Sequence, residues 1–170
     1  MIWAEVKHSL NSSVGTNEHE PLDQVVKRNT YEAFYDVADY YNSITNNEGV
    51  VIVPRGKNEI VGGEFYNDGP ETQIVILPWG LNTIGDNAFR NCKQLRKIFM
   101  PNTVKNIEDG AFTRCNAFTS ISIPNSVDVI SETAFVGMSN LANIYIDRKE
   151  SDAPAGAPWG ATNATVHYKS

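Results

Sequence analysis

With 170 residues, 41% of them hydrophobic, the chain is long enough to bury a core and most simply forms one compact water-soluble unit, since domains usually run to ~100–150 residues. The net charge of −6 sits at the front: residues 1–48 hold three Lys/Arg against eight Asp/Glu, the remainder eleven against twelve. A near-neutral body behind an acidic opening segment argues against a nucleic-acid partner, because phosphate binding depends on several clustered cations.

Residues 1–45 open the chain with a texture of their own. Ile2, Trp3, Val6 and Leu10 fall at helical spacing, and Pro21 sits where a helix can start. Asn29-Thr30-Tyr31-Glu32 has the spacing of a capping box, followed by Phe34, Tyr35, Ala38 and Tyr41 on one face. Two or three short helices are predicted here, either plugging one end of the following domain or docking onto other chains, so self-association through this N-terminal segment is open. The string Leu10-Asn11-Ser12-Ser13-Val14-Gly15-Thr16, with Pro21-Leu22-Asp23 after it, resembles the opening segment of phage-type structural genes of Gram-positive bacteria.

From residue 48 the chain repeats itself. Pro78, Pro101 and Pro124 are 23 residues apart, as are Ile84, Ile107 and Ile130, the pairs Ala88-Phe89, Ala111-Phe112 and Ala134-Phe135, and Leu95, Phe118 and Leu141. Val75, Ile98, Ile121 and Ile144 keep the same step, with Leu77, Met100, Ile123 and Ile146 two places on. Val53-Pro54, Ile60 and Phe65 form a fainter first copy, 24 residues ahead of their counterparts, which predicts one extra residue near Asn67-Asp68-Gly69-Pro70. Within a copy, Leu95 to Met100 alternates as a short strand that Pro101 ends, for want of an N–H. Phe112, Cys115 and Phe118 then step by three, which suits a tight helical turn.

The unit A-F-x-x-C-x-x-L/F-x-x-I-x-I-P-x-S/T-V-x-x-I resembles the BspA-like leucine-rich repeats over roughly residues 50–147. The resemblance implies a leucine-rich-repeat solenoid: a short right-handed stack of β-strand plus turn or short-helix repeats, here with a helical segment at the N-terminus. Each copy buries its inward row only by stacking on its neighbours. Where ordinary leucine-rich repeats place an inward Asn after the strand, this chain has Thr103 or Ser126, so hydroxyls are expected to satisfy the turn backbone. The family implies cell-surface or host contact. Its members usually carry export signals, whereas Met1-Ile2-Trp3-Ala4-Glu5-Val6-Lys7-His8 lacks the layout of a signal peptide. No stretch approaches the ~18 apolar residues of a membrane span. The expectation is therefore no membrane insertion and a cytoplasmic or virion-associated location.

Beyond Ile146 the repeat stops. Residues 148–158 read as a loop, and Ala157 to Tyr168 resembles the closing segment of many BspA-like chains, with Val166 and Tyr168 alternating as a last strand and Trp159 covering the final turn. The predicted division is a helical N-terminal cap over 1–47, repeats over 48–147 with a degenerate first copy, and a C-terminal β cap over 148–170.

Catalytic chemistry finds no foothold. His8, His19 and His167 are scattered, no GxSxG or phosphate-loop pattern occurs, and the two cysteines, Cys92 and Cys115, form no CxxC. Cys92 and Cys115 share one place in consecutive copies; the reading is a buried apolar column, with a disulfide as the alternative. No catalytic residue, metal site or cofactor is assigned. Arg90, Lys93, Arg96 and Lys97 read as a solvated edge. The candidate site is the outer face of the strand row: Ile76, Phe99, Ser122 and Tyr145, flanked by Lys97, Ser120 and Asn143. A row of apolar, aromatic and hydroxyl groups suits a flat protein surface or a sugar ring, and the alternative is that the termini cover Ile76 and Phe99. The function expected is a non-enzymatic binding or structural module of a phage-associated or bacterial surface-contact kind, adhesive to a protein or a cell-envelope glycan. An intracellular protein-interaction adaptor is the alternative reading, and an enzyme the third.

Overall fold

The computed structural model describes residues 22–45, 47–66 and 71–170. Their contacts group the chain into two units, 1–47 and 48–170. Among the described residues of the first unit, one α-helix, α1, runs from Leu22 to Thr45. This corrects the expected helix start at Asn29, which lies inside α1 and is buried. The physical reason is that 22–45 contains no Gly or Pro to interrupt it, and Val25, Asn29 and Ala33, four apart, continue one buried face through the supposed cap. Near its end, Ser43 and Thr45 donate their hydroxyls back to the carbonyls of Tyr40 and Tyr41. The expected helix around Ile2, Trp3, Val6 and Leu10 lies outside the described residues.

The second unit is a parallel β-solenoid of about five turns. Its first ladder is built from β1 (Val50–Ile52), β3 (Ile74–Ile76), β5 (Lys97–Phe99), β7 (Ser120–Ile123), β9 (Asn143–Ile146) and β10 (Thr165–Tyr168). These form two three-stranded sheets, β1-β3-β5 and β7-β9-β10. A second ladder of two-residue strands, β2 (Glu59–Ile60), β4 (Thr83–Ile84), β6 (Asn106–Ile107) and β8 (Val129–Ile130), forms one four-stranded sheet. The sequence marked those places only by Ile60 and the recurring Ile84, Ile107 and Ile130. Strands this short have no alternation to read.

Register follows the sequence period. Val50 pairs with Ile74, Ile74 with Lys97 and Ser120 with Asn143. The change of step from 24 to 23 falls between Phe65 and Gln73, bracketing residues 67–70, which lie outside the described residues. The step-of-three apolar run folds as successive i→i+3 turns: Cys92 N–H donates to Phe89 O and Leu95 N–H to Cys92 O, with the same bond from Cys115 to Phe112. At the corners each turn bonds the next, Phe89 N–H to Ala111 O, Phe112 N–H to Ala134 O and Phe135 N–H to Trp159 O.

Like residues therefore stack into columns. Phe65, Phe89, Phe112 and Phe135 lie 5.1, 5.3 and 5.9 Å apart by ring centroid, and Trp159 closes the column edge-on at 6.2 Å. Trp159 is fully buried and its indole N–H donates to Ala155 O at 2.8 Å, so the cap extends the column as a further turn. Each ring so buried contributes ~1.5–3 kcal/mol by area alone. Cys92 and Cys115 are free thiols in the adjoining column, donating to Phe65 O and Phe89 O. Burial, then the neighbouring Cys92, pushes the Cys115 thiol far above its ordinary range.

The hydroxyl expectation holds at one turn and fails at the next. Thr103 Oγ1 accepts from Gly80 N–H at 3.1 Å and donates to Leu81 O at 2.7 Å. Among the described residues the buried Ser126 Oγ has no hydrogen-bond partner, and Asn102 Oδ1 accepts the Ser126 N–H at 3.1 Å.

Candidate functional site

Outward positions on the first ladder alternate with the buried Val75, Ile98, Ile121 and Ile144. The structure divides the predicted residues between the two sheets. Ile76, Lys97 and Phe99 belong to β1-β3-β5; Ser120, Ser122, Asn143 and Tyr145 belong to β7-β9-β10. Among the described residues no strand pairing joins β5 to β7. The break coincides with Phe118, which stands in the place of Leu95 and Leu141 and meets Phe112 edge-on at 6.0 Å.

In the first sheet Ile76 is only 4% exposed, so it offers no surface to a partner and drops out of the candidate site. Its neighbours in register are Ile52 and Phe99, so an apolar side chain there has apolar company. Phe99 and Lys97 are half-buried, and the Lys97 ammonium lies 5.2 Å from the Phe99 ring centroid, a cation–π distance.

The second sheet is open. Ser120 and Ser122 are exposed, Asn143 is half-buried and Tyr145 is 46% exposed. Register sets Ser122, Tyr145 and His167 side by side on three rungs, and Ser120, Asn143 and Thr165 on the row before. The Tyr145 and His167 rings stack at 4.7 Å and 17°, and His167 Nε2 lies 2.8 Å from Asn143 Oδ1. Since the amide oxygen can only accept, Nε2 carries the proton and donates. Thr165 and His167 were missed by the sequence reading. Their signal was present: if Val166 and Tyr168 point inward on the last strand, the residues between them point outward beside Asn143 and Tyr145.

Elsewhere, Asp86, Glu108, Asp109 and Ser131 line an open depression of about 440 Å³ over β6 and β8. Desolvation first, then the charges of Asp86 and Glu59, raise the Glu108 carboxyl above its ordinary value. Ser131 Oγ donates to Asp109 Oδ1, and Asp86 Oδ1 accepts the Asp109 N–H at 3.1 Å, so these carboxylates bind turn to turn. Among the described residues no group of His, Cys, Asp and Glu is arranged to hold a metal ion, and no helix is long and apolar enough to cross a membrane.

The geometry has counterparts among solved structures. A leucine rich cell surface protein of Faecalibacterium prausnitzii superposes with a TM-score of 0.60 at 23% identity, over 73% of this chain and 33% of that one. The pneumococcal vaccine antigen PcpA gives 0.60 at 21%, over 73% and 31%, and a leucine-rich repeat protein of Bacteroides capillosus 0.53 at 22%, over 58% and 77%. The chain thus spans about a third of the length of the first two, and at these identities the likeness speaks for the fold. No curated protein matches the chain. The profile described as "BspA type Leucine rich repeat region (6 copies)" matches residues 58–156. More than half of the sequence carries that pattern, and the chain belongs to the BspA-type leucine-rich-repeat family.

Proposed function

We propose that this protein is a non-enzymatic recognition module that binds a protein or glycan of a cell envelope through the outer face of β7, β9 and β10. The observation carrying this reading is the exposed Tyr145, stacked on His167 and ringed by Ser122, Asn143 and Thr165 on three adjacent rungs. Rigid strands hold these groups in fixed register, so binding needs little ordering of the site. Repeat scaffolds of this family serve binding, and two of the solved neighbours are described as a cell surface protein and a vaccine antigen. A phage-associated or bacterial surface-contact role fits that setting, as does the phage-type string near the N-terminus.

The division of labour proposed is attachment or assembly by residues 1–47, recognition by the repeats over 48–147, and closure by 148–170. An assembly role for residues 1–47 is supported by Tyr40, Tyr41 and Ile44, large apolar side chains exposed along the last two turns of α1. Light scattering on the full chain and on Tyr40→Ser/Ile44→Ser tests it: the expected result is a defined oligomer that the double substitution dissociates. A monomer in both cases refutes assembly through this face.

Recognition is tested by cosedimentation with Gram-positive envelope preparations. Wild-type protein is expected in the pellet and Tyr145→Ala/His167→Ala in the supernatant. Equal partition of the two refutes the strand-face site.

A further inference from the structure

We infer that the β7-β9-β10 face takes an uncharged saccharide, with one pyranose ring laid on Tyr145. This deepens the recognition reading above and rests on it. The size of the platform points first in this direction. Three rungs ~4.8 Å apart and two outward rows separated by two residues of ~3.3 Å give a patch of roughly 10 by 7 Å. A specific protein interface takes about 800 Å² from each partner, several times more than this patch presents. One or two sugar rings match it.

Charge points the same way. Ser120, Ser122, Asn143, Tyr145, Thr165 and His167 carry no formal charge with histidine neutral. On the next outward row Asp147 is paired with Lys169 at 3.3 Å. Neither sign is left over to recruit a charged polymer.

The surface chemistry completes the match. His167 covers one face of the Tyr145 ring, and the neighbour on the other side is Ser122, too short to cover the second face. An open aromatic face flanked by hydroxyls is what the C–H side and the hydroxyl edge of a pyranose need. Asn143 spends its Oδ1 on His167, which leaves its amide N–H groups to donate to a ligand hydroxyl.

The test is a titration of the full chain, labelled at Tyr and His, with cellohexaose and with chitohexaose, followed by the ring resonances of Tyr145 and His167; polygalacturonate serves as the anionic control. Saturable shifts with a neutral hexasaccharide and none with the polyanion are expected. Tyr145→Ala, and Ser122→Phe, which fills the open ring face, should each weaken binding about tenfold, the scale of one lost stacking contact. Tyr145→Phe should retain binding, and Val129→Ala, on the other ladder, should leave it unchanged. Absence of saturable shifts with both hexasaccharides, equal shifts with polygalacturonate, or indifference to Tyr145→Ala overturns the proposal. If the sugars fail while envelope binding persists and still requires Tyr145, recognition by this face stands and its partner is a protein; if envelope binding is also indifferent to Tyr145, both readings fall.

Discussion

The three N-terminal rungs of the first ladder and the three C-terminal rungs share their inward row and differ in their outward one. Inward, Val75 and Ile98 continue into Ile121 and Ile144 without a change of chemistry. Outward, Val50, Ile52, Ile74, Ile76 and Phe99 give way to Ser120, Ser122, Asn143, Tyr145, Thr165 and His167, with Lys97 the one charged residue among them. The change falls at the unpaired junction between β5 and β7. A solenoid's inward row is fixed by stacking, because a misfit in one turn is felt by the next. Its outward row is free to vary, and here that freedom separates a half with a buried member from a half that stands in solvent.

Substitutions can probe this contrast in order of size. The largest effect belongs to the shared inward columns: Phe112→Ala, which empties the middle of the aromatic stack, should cost ~3–5 kcal/mol in a denaturant titration. A cost near that of a surface change would mean that the columns do not support one another. Between the halves, Ile76→Ala should cost ~2–4 kcal/mol, whereas Tyr145→Ala, on the open half, should cost no more than ~1 kcal/mol. Equal costs would erase the distinction between the halves.

Thiol accessibility refines the same point qualitatively. Cys92 and Cys115, both buried and reduced, should react with a thiol reagent only once the chain is denatured, and then as two equivalents. None on denaturation would mean a bond between the turns.

The smallest effects are electrostatic. Arg148 bonds Asp128 at 2.7 Å and, with a smaller contribution from Lys105, lowers the Asp128 carboxyl. A lowered folded value stabilises above the ordinary carboxylate pKa of ~3.9 and is lost as pH falls through the folded value. Asp128 is well exposed, so Asp128→Asn should cost less than ~1 kcal/mol at neutral pH and nothing in strong acid. Glu108 has the opposite sign: its raised value means that ionisation opposes folding. Glu108→Gln should therefore stabilise slightly at neutral pH, with the gain vanishing below pH ~4, where the wild-type carboxyl is protonated in both states. Both are read from stability curves measured across that range.

Much of the solenoid was legible because stacking repeats one constraint at a fixed step. The columns, the strand row and the extra residue of the first copy follow from apolar residues recurring 23 or 24 places apart, and the closing role of Trp159 from the likeness of its segment to the closing segments of BspA-like chains. What escaped did so for identifiable reasons. The second ladder has strands of two residues, too short for a period. The run of α1 through Asn29 escaped because a capping box is a local signal, and a continuous buried face overrides it. Ile76 occupies an outward register position, yet register alone does not say whether that face meets solvent. His167 escaped because it was weighed as an isolated histidine, when its neighbours across the rungs, Asn143 and Tyr145, are what give it a place.

On the reading proposed here, recognition belongs to the open half of the ladder. The sharpest test is alanine substitution of each outward position in turn, at Lys97, Phe99, Ser120, Ser122, Asn143, Tyr145, Thr165 and His167, with envelope cosedimentation as the readout. Loss of binding is expected to centre on Tyr145 and His167, to weaken through Asn143 and Thr165, and to be absent at Lys97. Loss centred on Lys97 and Phe99, with Tyr145→Ala binding as the wild type, would contradict it.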